Sequence, residues 1–164
     1  MASQGLTDRV RAASDQVEMS LCVRPARDLP LLMLRSEYSR ILRKRMHAVG
    51  GSPEDPGLRT LLSYFKAAAL PAAAMRRGCV RRGTVMVFSR SRSGWLRATA
   101  AGTPVATVLS PKLCEAVFDL YLGEAPVCAR AKAEARTAFE ALIGIQHAAV
   151  PLAAVPSHRL LLGV

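Results

Sequence analysis

The hydrophobic period of the sequence changes between Arg82 and Ser110. There TVMVFS, WLRAT and VATVLS form short runs rich in β-branched residues, separated by SRSG and AAGT, which are typical turn sequences. This pattern predicts three antiparallel strands joined in a meander. A further strand is predicted for VEMSLCVR, which starts at Val17, because alternate residues of that run are apolar and the period of two gives it one buried face.

Helical spacing surrounds the predicted meander on both sides. Apolar residues recur every three or four positions in four stretches, and Gly50, Pro71 and Gly123 are placed to end three of them. Asp55 is placed to cap the second helix at its N-terminus. The inward residues are Leu31, Leu34, Tyr38, Ile41 and Leu42; Leu58, Leu61, Leu62 and Phe65; Leu113, Val117, Leu120 and Tyr121; and Ala135, Phe139, Leu142 and Ile143. The sequence therefore predicts an α+β protein, an antiparallel sheet with helices.

The composition fits one soluble domain with a substantial core. The chain has 164 residues, of which 51% are hydrophobic, enough to bury apolar surface on this scale. The longest mostly apolar run, Ala138 to Val155, contains Glu140 and His147 and is broken by Pro151, so we expect no membrane span. The first sixteen residues carry acidic side chains and no apolar stretch, which is untypical of a secretion signal or a transit peptide.

The residues that commonly bind metals are too scattered to form a site. Cys22, Cys79, Cys114 and Cys128 show no paired spacing with one another or with histidine, so we expect neither a metal site nor a disulfide framework. The sequence contains no phosphate-binding glycine loop and no nucleophile-elbow pattern. We therefore predict no catalytic residue of a standard type, no metal and no cofactor.

The net charge of +11 suggests an anionic partner. The basic residues lie in short, dispersed clusters, among them Arg43 to Arg45, Arg76 with Arg77, and Arg81 with Arg82, without the interleaved aromatic residues of nucleic-acid binding modules. We interpret them as solvated helix faces and loop rims and do not expect nucleic acid as the partner. A basic interaction module remains an alternative.

The order of several longer segments resembles that of a known family. These segments are SEYSRILRKRMHAVGG, DPGLRTLLSYF, RRGTVMVFSRSRSGWLRATAAGTPVATVLSPKLCEAVFDLYLGE and the run on to Phe139, about two thirds of the chain. They resemble the chalcone isomerase-like proteins, and within that family their sequences are nearest to those of the plant plastid fatty-acid-binding members. The resemblance implies an open-faced sandwich, in which an antiparallel sheet is covered by a layer of helices with a ligand cleft between them.

The resemblance divides the chain into a loose segment 1–16, a chalcone isomerase-like domain 17–146 and an irregular apolar tail 147–164. Members of this family carry further strands before the part matched by VEMSLCVR, and only about sixteen residues are present there, so we expect those strands to be absent. Their absence would leave an open sheet edge. It would also remove the arginine and tyrosine with which fatty-acid-binding relatives hold a carboxylate.

Three of the family's cleft positions fall on residues of this chain, and two of these residues, Tyr38 and Cys114, are our candidates for the cleft. Tyr38 resembles a tyrosine of the isomerases, and Arg45 stands two helical turns later in place of their asparagine. Cys114 stands where the family has a cleft-facing serine or threonine, and its thiol is a weaker donor. Tyr38 also lies on the apolar stripe, so a core role is open for it; for Cys114, a cleft wall, the core and a reactive thiol with its pKa lowered by the helix N-terminus are all open.

The resemblance implies a non-catalytic protein that binds a fatty acid or a similar apolar carboxylate between sheet and helices. An intramolecular lyase of the chalcone isomerase type, which would make flavonoids, is the alternative from the enzyme class. The resemblance also implies a chloroplast location, which the first residues of the chain do not support. The oligomeric state is left open.

Overall fold

The computed structural model describes residues 18–147 and 159–163. It contains eight strands and four α-helices within these ranges. In chain order they are β1 (Met19–Arg24), β2 (Leu29–Pro30), α1 (Leu31–Ala48), α2 (Pro56–Ser63), β3 (Met75–Arg76), β4 (Cys79–Val80), β5 (Met86–Arg90), β6 (Trp95–Ala100), β7 (Thr103–Leu109), α3 (Pro111–Leu122), α4 (Ala129–His147) and β8 (Arg159–Gly163). The predicted α+β class is confirmed. The predicted loose segment 1–16 lies outside the described residues, and the predicted domain limits stay a prediction.

The main sheet has five strands in the order β7-β6-β5-β1-β8. The predicted meander is confirmed, because β5, β6 and β7 pair antiparallel in sequence, and β1 pairs antiparallel with β5. One row across the sheet joins Leu21, Phe88, Ala98 and Ala106, and all four side chains are buried. This face is the floor of the core, over which the helices lie.

The fifth strand of the sheet differs from the expectation for the C-terminal tail. Residues 147–164 were expected to form no regular element, but Arg159–Gly163 form β8, which pairs parallel with β1 from Ser20 opposite Arg159 to Arg24 opposite Gly163. The run of apolar residues in β8 lacks the alternation that marks a half-exposed strand, so no local period revealed it. The predicted open edge at β1 is therefore wrong, because β1 has a partner on each side.

The helices α2 and α3 begin at the same point above the sheet. The Leu58 N–H donates to Asp55 Oδ1 at 3.1 Å, and the Leu113 N–H donates to Ser110 Oγ at 3.2 Å, so each helix has a side-chain cap. The Ser110 hydroxyl also donates to Asp55 Oδ2 at 3.3 Å, which joins the two caps. The predicted cap at Asp55 is confirmed, and its second role fixes α2 beside α3.

A second sheet of three very short strands, in the order β2-β4-β3, lies at the start of α1. Its β3-β4 hairpin turns at Arg77 and Gly78, with φ angles of 48° and 74°. Two successive positive φ angles are the mark of a tight hairpin turn that follows the twist of its strands. The Leu31 N–H donates to the Gly78 carbonyl at 3.0 Å, so the hairpin tip is held against the first residue of α1.

None of the helices within the described ranges is long and apolar enough to cross a membrane.

Candidate ligand cleft

An apolar cleft lies between the sheet and the chain that leaves α2. Its wall on the helix side comes from α2 and the irregular segment 64–71 that follows, and its floor comes from β5, β6 and β7. The wall residues are Leu61, Tyr64, Phe65 and Leu70, and the floor residues are Met86, Phe88, Ala98, Thr99, Ala100, Val105 and Ala106. Three of the floor residues are alanines, whose short side chains leave space above the sheet. The cleft is where apolar side chains from both layers face each other.

The cleft is nearly closed in this structure. Its cavity volume is about 20 Å³, enough for about one water molecule, whereas pockets for organic ligands reach about 300 Å³ or more. The segment 64–71 forms the outer wall, and within it Lys66, Ala67 and Ala68 are exposed. Its N–H groups make four backbone hydrogen bonds: the Ala69 and Leu70 N–H groups donate to the Lys66 carbonyl, and the Tyr64 and Phe65 N–H groups donate to the Leu61 and Leu62 carbonyls of α2. A ligand of any length therefore requires this wall to move outward, and few bonds oppose that movement.

Tyr38 lies behind the cleft rather than among its lining residues. Its ring packs on Phe65, with the ring centroids 5.2 Å apart and the planes at 40°, and Phe65 does line the cleft. The hydroxyl groups of Tyr38 and Tyr121 hydrogen-bond to each other. Burial raises the pKa of both hydroxyls, most strongly for Tyr121, where the neighbouring Tyr38 adds to the effect. Tyr38 thus supports a lining residue from behind and joins α1 to α3.

Cys114 is fully buried in the first turn of α3 and does not line the cleft. Its thiol donates a hydrogen bond to the Gly94 carbonyl, with Sγ and O 3.5 Å apart. Burial raises the pKa of the thiol to about 11, although the nearby Arg90 guanidinium acts in the opposite direction. Of the three roles left open for Cys114, the reactive thiol with a lowered pKa is contradicted, because desolvation by burial outweighs the effect of the Arg90 guanidinium. The thiol is a packed group that ties α3 to the β5-β6 turn.

Both residues predicted for the cleft are connected with α3. Cys114 lies in the first turn of this helix, and Tyr38 hydrogen-bonds to Tyr121 in its last turn. Tyr121, the partner of Tyr38, follows Cys114 by seven residues, two turns along one face of α3. The structure therefore places Tyr38 and Cys114 behind the cleft, in the helix layer. A direct role for either in ligand binding stays a prediction.

Arg45, which stands in place of the family's asparagine, forms an ion pair within the helix layer. Its Nη1 lies 2.8 Å from Asp119 Oδ2, and its Nη2 donates to the Ala125 carbonyl. The two side chains are 16% and 20% exposed, so the pair is shielded on most sides. One guanidinium thus fixes α1 to α3 and to the link before α4.

Sequence reasoning placed the wall residues Leu61 and Phe65 inward but did not assign them to a cleft. The floor residues on β5, β6 and β7 were not predicted as part of a cleft. The signal present is the alternation of small residues, since Ala98 and Ala100 occupy alternate positions of β6 and face the core. Small side chains on the core face of a sheet leave space above it.

Within the part of the chain that the structure describes, no group of three or more histidine, cysteine, aspartate or glutamate side chains is placed to hold a metal ion.

The fold is similar to that of a solved plant protein. The chain superposes on the crystal structure of the Arabidopsis thaliana fatty-acid binding protein AtFAP1 with a TM-score of 0.61 and 22% sequence identity, covering 77% of this chain and 58% of that chain. The chain thus spans less than two thirds of that protein's length. At this identity the likeness shows the fold, which is chalcone isomerase-like. No family model matches the sequence, and no curated protein matches it.

Proposed function

We propose that the protein binds a fatty acid, or a similar apolar carboxylate, in the cleft between the sheet and the segment 64–71. The observation that carries the proposal is the composition of that cleft, in which nine of the eleven lining residues have side chains without a polar N or O atom and the two others, Tyr64 and Thr99, carry a hydroxyl. An acyl chain gains about 25 cal/mol per Å² of apolar surface that it buries in such a site. The fold similarity to a fatty-acid binding protein supports the same reading at the level of architecture.

Entry of the acyl chain requires the wall to open. We expect the wall to move between two fixed ends, the C-terminus of α2 and the short 3-10 turn Ala72–Ala74, whose Ala74 is buried. The stretch between them has no helix or strand, while the floor is a hydrogen-bonded meander. We therefore expect the ligand to displace Tyr64, Phe65 and Leu70 and to leave the sheet unchanged.

The carboxylate end of the ligand would remain at the mouth of the cleft. Lys66 is exposed and directly follows Phe65, which makes it the cation nearest in sequence to the apolar wall. It is our candidate for the partner of the carboxylate, in the place of the arginine and tyrosine that the resemblance describes for other members. An exposed ammonium contributes about 1 kcal/mol or less, so the acyl chain would supply most of the affinity.

The test is native mass spectrometry of the protein after incubation with a mixture of medium-chain and long-chain fatty acids. Val105 lines the cleft and is half-buried on β7, so Val105→Phe would fill the space above the sheet. Val87 is also half-buried but is absent from the lining, and its neighbour Phe88 occupies the core face, so Val87→Phe is the matched control. We expect a retained fatty acid with the native protein and with Val87→Phe, and a loss of at least about tenfold in affinity with Val105→Phe.

Failure of the native, folded protein to retain any fatty acid would overturn the proposal. Equal weakening by Val87→Phe and Val105→Phe would also contradict it, because the ligand would then lie outside this cleft. A separate incubation with a 2'-hydroxychalcone tests the isomerase alternative, with loss of the chalcone's absorbance as the readout, because chalcone and flavanone have the same mass. The plant plastid location that the resemblance implies stays a prediction.

A further inference from the structure

One corner of the molecule combines exposed arginines with exposed aliphatic side chains. We call it the basic corner and define it by Arg27, Leu32, Met33, Arg76, Arg77, Arg81 and Arg82. It belongs to the small sheet and the first turn of α1, and none of these residues lines the apolar cleft.

Backbone pairing brings the three parts of the basic corner together. β2 pairs with β4 through Leu29 opposite Val80 and Pro30 opposite Cys79, so the chain before α1 lies beside the hairpin. The Leu31 N–H donates to the Gly78 carbonyl at the hairpin tip, and the Arg82 N–H donates to Asp28 Oδ1 at 2.7 Å. The backbone of the arginine-bearing hairpin therefore lies beside the first turn of α1, which carries Leu32 and Met33.

The charge of the basic corner is strongly positive. Arg27, Arg76, Arg81 and Arg82 surround an open depression of about 480 Å³ together with a single carboxylate, Asp28, so the formal charge there is +3. Asp28 accepts a hydrogen bond from the backbone of Arg82, and Arg77 at the hairpin tip adds a further charge. All five arginines are exposed, and within residues 18–147 none of them takes part in an ion pair. Guanidinium groups in this arrangement attract phosphate-bearing surfaces.

The aliphatic side chains determine which anionic surface fits. Leu32 is 82% exposed and Met33 is 51% exposed, although both follow the buried Leu31 in the first turn of α1. An apolar pair beside a cluster of cations is the pattern of a protein surface that lies on a bilayer, with the aliphatic groups among the acyl chains and the cations at the headgroups. RNA would instead favour aromatic side chains for base stacking, and the residues of the basic corner include none.

We propose that the basic corner docks the protein on the surface of an anionic lipid bilayer. The arginines hold the headgroup phosphates and carboxylates, and Leu32 and Met33 enter the acyl boundary. The positive φ angles at Arg77 and Gly78 fix the hairpin turn, so the surface is formed before the membrane is met. The proposal concerns a surface and does not depend on ligand binding in the cleft.

The experiment is co-sedimentation with vesicles of one third phosphatidylserine and two thirds phosphatidylcholine, compared with vesicles of phosphatidylcholine alone. Binding is expected to the anionic vesicles alone and to weaken as salt is raised. The triple variant R76Q/R81Q/R82Q removes three charges from the basic corner, and R59Q/R92Q/R97Q removes three exposed arginines from outside it. Since each basic residue near an anionic surface strengthens binding several-fold, we expect a loss of at least about tenfold for the first triple and about twofold or less for the second.

The variant L32S/M33S tests the aliphatic part. We expect it to lower vesicle binding by at least about threefold while leaving the far-ultraviolet circular dichroism unchanged, because both side chains are already exposed. Equal losses from the two arginine triples would overturn the proposal, because net charge alone would then govern binding. Unchanged binding by L32S/M33S, or tighter binding to a single-stranded RNA oligonucleotide than to the anionic vesicles at the same salt, would overturn it as well.

Discussion

Arg45 on α1 forms an ion pair with Asp119 on α3, with 2.8 Å between Nη1 and Oδ2, inside a layer that shields both side chains from most of the solvent. The same guanidinium donates to the Ala125 carbonyl, so a single side chain connects three segments of the helix layer. Asp119 lies two residues before Tyr121, whose hydroxyl meets that of Tyr38. The α1-α3 contact thus carries two polar links, and neither lies among the residues that line the cleft.

Breaking the Arg45–Asp119 pair should destabilise the fold more than breaking an exposed pair. Arg45→Met leaves the Asp119 carboxylate without its partner in a mostly shielded position, and we expect a loss of about 1–3 kcal/mol in the free energy of unfolding. Arg43→Met breaks the Arg43–Glu54 pair, whose side chains are 45% and 65% exposed, and should cost less than about 1 kcal/mol. Urea unfolding of both variants provides the measurement; equal losses would contradict the structural role of Arg45.

The Tyr38–Tyr121 pair should make stability depend on alkaline pH. Burial raises the pKa of both hydroxyls above the usual 10.0. Above about that pH the unfolded chain releases these protons while the folded chain retains them, so stability falls as pH rises and is unaffected by these groups below it. The double variant Tyr38→Phe/Tyr121→Phe should lose part of this dependence. Urea unfolding at a series of alkaline pH values measures it, and an unchanged slope in the double variant would refute the assignment.

Each single Tyr→Phe change should cost more than half of the double change. Removing one hydroxyl leaves the other buried without its partner, at about 1–2 kcal/mol, whereas removing both leaves neither unsatisfied. A double-mutant cycle on the free energy of unfolding measures this coupling. Strict additivity of the two single effects would show that the hydroxyls do not depend on each other.

Gly94 in the β5-β6 turn should tolerate alanine far less well than Gly102 in the β6-β7 turn. Both glycines have a φ of +81°, so the backbone strain of the substitution is the same. A Cβ on Gly94 would lie 2.5 Å from Pro111 Cγ, while a Cβ on Gly102 meets nothing within 4 Å. We expect Gly94→Ala to lower the melting temperature clearly more, by an additional cost of about 1–3 kcal/mol from the clash. Similar losses at both sites would show that Pro111 moves aside.

The four cysteines should separate into two classes on alkylation. Cys22 and Cys114 are buried, and the thiol of Cys114 also has a pKa raised to about 11, while Cys79 and Cys128 are half-buried. Since the thiolate is the reactive form and must reach the reagent, Cys79 and Cys128 should be labelled first near neutral pH. Peptide mass spectrometry after brief iodoacetamide treatment measures this order. Early labelling of Cys114 would contradict its placement in the core.

The elements that depend on a local sequence pattern could be predicted from the sequence. The meander followed from alternation and turn residues between Arg82 and Ser110, and the cap at Asp55 followed from its place before a helical stretch. The strands β2, β3 and β4 contain two residues each, too few for any period to appear. β8 pairs with β1 through residues that are 139 positions apart in the sequence, such as Ser20 and Arg159. No local pattern specifies such a distant partner.

The candidate site was less accessible from sequence than the fold. A cleft depends on how far two layers approach each other, and that distance is set by Ala98, Ala100 and Ala106 on the floor against Phe65 and Leu70 on the wall. Helical spacing placed Phe65 inward without saying what it would face. Tyr38 and Cys114 came from the family resemblance, and local packing in this chain directs both side chains into contacts within the core layers.

The pairing of β8 with β1 has a consequence for the order in which the protein is made. The first strand of the sheet leaves the ribosome early, and its outer edge must wait for the segment at 159–163, which is translated some 139 residues later. During that interval β1 presents free backbone groups that another nascent chain can adopt as a template. Premature termination before residue 159, or proteolytic clipping of that segment, would make this exposure permanent and leave the edge of β1 open to pairing between copies of the chain.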